Sequence, residues 1–206
     1  MTRLMFFLPA VAVALLGCAA SQPAVQPLPY EADLYPLAQT RDGVTVAIDE
    51  IRSPQRAERY FGADLLKEGL LPVHVVVSNH GKQRLAVKSL DVLASHGKEV
   101  IDALPLEALL AAVAGQHRAH VRSSLEGTIF KAAVLAPGET YRGTVFFSAP
   151  PAKGAADRFL ALLSPNPESG RKVRVGLTNL DTNERLLFGP FPLAADTARA
   201  ASRTSY

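Results

Sequence analysis

Disulfides cannot brace this chain, because its 206 residues include a single cysteine, Cys18. Its stability must come from apolar burial and backbone pairing. Tryptophan is absent and methionine occurs only twice. An excess of one charge is also missing. Lys and Arg number 22, Asp and Glu 19, and the formal net charge is +3, too little for the concentrated basic stripe of a nucleic-acid binder. No apolar run reaches the roughly 20 residues needed to cross a hydrocarbon core. There is no Gly-rich phosphate loop and no Gly-x-Ser-x-Gly elbow. The acidic residues are scattered, without the alternating Asp/Asn loop of a calcium site. What remains is 48% hydrophobic and 20% charged, which argues for a real core over global disorder.

The N-terminus is the most specific part of the chain. Arg3 supplies a positive charge, Leu4 to Leu16 an apolar stretch interrupted only by Pro9, and Gly17 a small residue before Cys18. This is the layout of a secretory leader, too short to be retained as a membrane span. Leu15-Leu16-Gly17-Cys18 resembles a bacterial lipobox, although Leu16 is larger than the pattern prefers. The resemblance implies cleavage after Gly17, a diacylglycerol on the Cys18 sulfur, and further acyl chains such as palmitate. Each buried methylene contributes about 0.8 kcal/mol, so two or more chains hold a protein at the bilayer stably. A plain secretory leader cut near Ala19-Ala20 is the alternative, and it would discard Cys18. Ala19 in place of Asp implies the outer membrane of a double-membrane envelope, with the domain in the periplasm. Loss of Arg3 with the leader lowers the net charge by one.

The chain divides into a leader at 1–17, a tether at 18–40, a domain at 41–193 and a small polar tail at 194–206. Pro23, Pro27, Pro29 and Pro36 keep the tether from helix or central strand. Val44, Val46 and Ile48 then alternate with Thr45, Ala47 and Asp49, and Val73, Val75 and Val77 alternate with His74, Val76 and Ser78. Asn79-His80-Gly81-Lys82 reads as a turn. Leu85 to Leu93 changes phase near Ser89, which a bulge reconciles. Lys98 to Leu104 fits a short edge strand. The period changes at Leu106, Leu110, Val113, His117 and Val121, which predicts one helix after Pro105. Ser123 to Val134 reads as neither type. Alternation returns at Tyr141 to Phe147, Phe159 to Leu163 reads as a covered strand, and Val173 to Leu177 and Arg185 to Phe188 flank a turn at Asp181-Thr182-Asn183-Glu184. Seven or eight short strands with a helical insertion near 105–133 predict a mainly β sandwich.

Two stretches, Tyr60-Phe61-Gly62-Ala63-Asp64-Leu65 through Leu71-Pro72-Val73 to Ser78-Asn79, and Leu135-Ala136-Pro137-Gly138-Glu139 with Gly143-Thr144-Val145-Phe146-Phe147, resemble uncharacterised bacterial lipoproteins with an immunoglobulin-like β-sandwich. The resemblance implies a fold and transfers no catalytic residue.

Candidate chemistry is sparse. His117 and His120 share a helical face but lack a third ligand, so no metal site is assigned. The competing reading has His117 closing the apolar stripe and His120 in solvent. His74 is expected at the surface of a half-exposed strand, with a buried acid/base group as the alternative. His80 and His96 fall in or beside turns. Ser123 and Ser124 follow the helix without a base or oxyanion donors beside them. Tyr60 and Phe61 are candidate partner contacts, or at least one ring plugs the end of the sandwich, with Asp64 capping a short helix over 65–68. The sequence therefore predicts a non-enzymatic, membrane-anchored binding or structural module with no cofactor and no nucleic-acid partner. Alternatives are a carrier of a small apolar ligand under Leu110 and Val113, and an envelope hydrolase.

Overall fold

The computed structural model describes residues 30–96, 98–148 and 171–193. Cys18, the leader, the apolar run Phe159 to Leu163 and the tail lie outside the described residues. Two antiparallel sheets are built from the alternating segments. The first has the order β1 (Ala38–Arg41), β2 (Val44–Glu50), β3 (Leu70–Asn79), β7 (Thr140–Ser148). In the second, β5 (Glu99–Asp102), β4 (Leu85–His96), β8 (Arg171–Asn179) and β9 (Arg185–Pro192) are neighbours in that order, and β6 (Ala133–Leu135) also pairs with β4. Register explains the alternation. Val46 and Ile48 of β2 stand opposite Val77 and Val75 of β3, and with Val44 and Val73 they join one core with Val87, Val175 and Phe188 of the second sheet. Each such side chain contributes about 1.5–3 kcal/mol on burial.

The phase slip in β4 is a bulge. Between Val87 and Val92 the strand advances five positions while β8 advances two, from Leu177 to Val175. Val92 and Ala94 thereby return to the face already used by Leu85 and Val87. The short edge strand expected near 98–104 is β5.

A second core lies on the outer face of the first sheet. Phe146 points away from Val145 and Phe147 and packs with Ile51, Phe61, Leu109, Leu110 and Val121. The helices supplying these are α1 (Pro54–Phe61), α2 (Leu106–Ala112) and α3 (Gly115–Glu126). The single helix expected from Leu106 to Val121 is thus two. Val113 and Ala114 are extended, with ψ of 134° and 136°. Gly115 follows, and Arg118 Nε donates to Leu110 O at 2.9 Å, satisfying an end carbonyl of α2. The helix expected over 65–68 is also corrected. Asp64 Oδ1 does accept from Leu66 N and Lys67 N, but only turns follow, and the helix of this region is α1, upstream. Ser53 caps it by accepting from Arg56 N, and Gly62 at φ +73° ends it.

The end of the expected tether is part of the folded unit. Residues 32–34 form a 3-10 turn, β1 pairs with β2, and Ala32 and Tyr35 are buried against Ala47 and Val76. Among the described residues no helix is long and apolar enough to cross a membrane.

Candidate functional site

The outer face of the first sheet holds the most unusual polar group. Register aligns Asp49, His74 and Thr144 in one row across β2, β3 and β7. His74 is 5% exposed and Thr144 2%, so the expectation of a surface histidine is corrected. His74 does alternate with the core valines, but its face is covered by a second layer. His74 Nδ1 lies 3.2 Å from Thr144 Oγ1, whereas its Nε2 is buried with no hydrogen-bond partner among the described residues. Burial, with help from Arg142 and Arg56 against the opposing Asp49, lowers its pKa to about 4. The ring is therefore neutral near pH 7.

Asp49 is not free to orient this histidine. Arg56 of α1 holds its carboxylate through both guanidinium nitrogens, Nη1 at 3.3 Å. Tyr35 lies over the row, its ring centroid 6.4 Å from that of His74. Burial and then Asp49 push its phenol up to about 12. A hydroxyl bonded to an imidazole has the outline of a nucleophile and base. Here both members are buried, and the carboxylate that would complete a triad is bound to Arg56.

Phe61 and Tyr60 part company. Phe61 is 1% exposed and meets Phe146 edge-on at 5.4 Å. Its ring is buried in the second core, on the outer face of the first sheet, so it is neither the expected plug at the end of the sandwich nor an exposed partner contact. Tyr60 is half-buried, with the Arg56 guanidinium 5.9 Å from its ring centre.

His117 and His120 are both exposed. The apolar stripe of α3 is closed by Val121 and Leu125 instead, so His117 does not extend it. His117 Nε2 lies 3.0 Å from Gln116 Nε2. The His120 ring lies over Gly62, where any Cβ would meet it. Among the described residues no group of three His, Cys, Asp or Glu is placed to hold a metal ion. Ser124 Oγ donates to His120 O, a local helical bond.

Leu110 and Val113 are buried in the second core, which fills the space beneath them. A half-open cleft of about 260 Å³ lies elsewhere, lined by Ala103, Leu104, Leu106, Ile129, Phe130 and Val145 among others. It forms where two segments brace the outer edge of β7. Leu104 N–H donates to Phe146 O, and Phe130 N–H donates to Thr144 O.

No family model matches the chain, and no curated protein matches it. Among solved structures, the yjhA protein of Bacillus subtilis is 10% identical with a TM-score of 0.42, over 74% of this chain and 95% of that one. The ycdA protein of Bacillus subtilis, a candidate lipoprotein, is 15% identical with a TM-score of 0.39, over 73% of this chain and 37% of that one. A functionally unknown protein of Listeria monocytogenes is 14% identical with a TM-score of 0.38, over 77% of this chain and 82% of that one. Nothing about activity follows from likeness at this level.

Proposed function

We propose that this chain is a lipid-anchored protein of the bacterial envelope, held at the outer membrane through Cys18, whose β domain is a non-enzymatic binding or structural module. The observation that carries the reading is Leu15-Leu16-Gly17-Cys18, following a short apolar run that starts after Arg3. The strand order supports an immunoglobulin-like type for the domain. β2, β3 and β7 correspond to A, B and E of that fold, and β9, β8, β4 and β5 to G, F, C and C′. The burial of His74 and Thr144, and the commitment of Asp49 to Arg56, speak against hydrolysis. Of the two candidate contact residues, Tyr60 is the one left partly exposed.

Intact mass of the protein from native membranes tests the anchor. The expected N-terminus is Cys18 carrying diacylglycerol, and Cys18→Ser should lose the lipid mass and the membrane association. An N-terminus downstream of residue 18, or an unmodified sulfur, refutes the reading. Fractionation should find the protein with outer membranes; recovery in inner-membrane vesicles alone refutes that placement.

The cleft beside β7 favours a second reading, carriage of a small apolar ligand, at a position other than the one expected beneath Leu110 and Val113. Its size is near the lower end of ligand sites. A solvatochromic apolar dye should bind the protein and be excluded by Ala103→Trp. No binding to the unaltered protein removes this reading.

A further inference from the structure

We propose that residues 30–37 are a strap that acid releases from the outer face of the first sheet, with His74 as the group that loosens it. The strap is fastened at a few polar points. Glu31 Oε2 accepts from Ser78 Oγ and Thr140 Oγ1, each at 3.3 Å. Ala32 N–H donates to Ser78 Oγ at 3.1 Å. The Tyr30 ring lies 5.1 Å from the Arg142 guanidinium, and Leu37 O accepts from Ile48 N at 3.1 Å. Its own buried residues are Ala32 and Tyr35. With these two and Leu37, half-buried against the shared core, the strap buries far less than the strands beneath it and would be among the first segments to open locally.

Tyr35 is the part of the strap that lies over His74. The ionisable groups facing that ring come from each packed element: Asp49 from β2, Arg142 from β7, Arg56 from α1 and Tyr35 from the strap, with Tyr60 beside Arg56. The one carboxylate among them is bonded to Arg56. A proton on His74 therefore creates a buried cation near two guanidiniums. Both ring nitrogens would then carry N–H, and that of Nε2 has no acceptor among the described residues. Lifting Tyr35 admits water and relieves both penalties. Opening returns the ring from a pKa of about 4 toward its ordinary 6.5. The open-to-closed ratio then rises as the pH falls through that interval, by up to about 300-fold in all. With Cys18 as the anchor, the reading on which this consequence alone rests, release lengthens the tether by eight residues, roughly 26 Å fully extended.

NMR of the labelled full chain between pH 7.5 and 3.5 tests the device without reference to the anchor. The amides of Ala32, Leu34 and Tyr35 should move to unstructured positions as the pH falls from 6.5 to 4, while those of β3 and β7 stay dispersed. The strap of His74→Asn should remain seated across the same interval. The His74 ring protons give a second readout should that variant fail to fold, because their titration must coincide with strap release. A strap that stays seated until β3 and β7 melt overturns the proposal. So does release that is unchanged in His74→Asn, or release out of step with the ring.

Discussion

His74 shows how one side chain couples the fold to pH. In the unfolded chain its pKa is near 6.5, and in the folded chain it is lowered to about 4. Between those values the unfolded state binds more protons. The contribution of the neutral ring is therefore complete above pH 6.5 and is lost as the pH falls toward 4, at a cost of roughly 3 kcal/mol at most. Urea melts across this range should show the decline, and His74→Asn should flatten it. Phe61 makes its contribution by volume. Removing a ring packed edge-on against Phe146 leaves a cavity in the second core, and Phe61→Ala should cost about 3–5 kcal/mol. Tyr60→Ala, at a half-buried site, should lower the melting temperature much less. Equal losses for the two would contradict the division between a core ring and a half-buried one.

At the scale of elements, termini and edges carry the specificity. α1 has only Ala57 and Phe61 buried, so its cap matters. Ser53→Ala should cost about 1 kcal/mol, measurable by chemical denaturation. The outer edge of β7 is protected because residues 128–130 run beside it, with Thr144 N donating to Thr128 O and Phe130 N to Thr144 O. Gly143 permits that approach. A Cβ there would stand 2.6 Å from Phe130 Cα, a backbone atom. Gly143→Ala should therefore destabilise the fold by more than 1 kcal/mol and speed amide exchange at Phe130. Unchanged exchange would show that the edge segment can shift at little cost.

The described residues form a stack of layers: second sheet, shared core, first sheet, then helices and strap. The first sheet is apolar on both faces at its helical end, where Val145 and Phe147 serve one core and Phe146 the other. Leu110 belongs to the outer core only. Leu110→Ala should lose about 2–5 kcal/mol, with hydrogen exchange accelerating first in the three helices and last in β4 and β8. Uniform acceleration would mean that the two cores unfold as one.

Strand placement was legible in the sequence because Val44 to Ile48, Val73 to Val77 and Tyr141 to Phe147 each alternate against one large core, and period two survives wherever one face is apolar. The bulge in β4 was legible for the same reason, as a break in that alternation. β6 was not, since three residues carry no period. α1 escaped because Pro54 to Phe61 is largely polar, and the break at Val113-Ala114 escaped because the apolar spacing continues through it. Local pattern thus determined the longer strands and which of their side chains point to the shared core. Only the tertiary structure decided what lies on the far side of the first sheet. There, residues distant in sequence, the strap at 30–37 and three helices, cover a face on which alternation alone places His74 at the surface. Burial of that kind depends on what arrives from elsewhere in the chain, and no window around His74 records it.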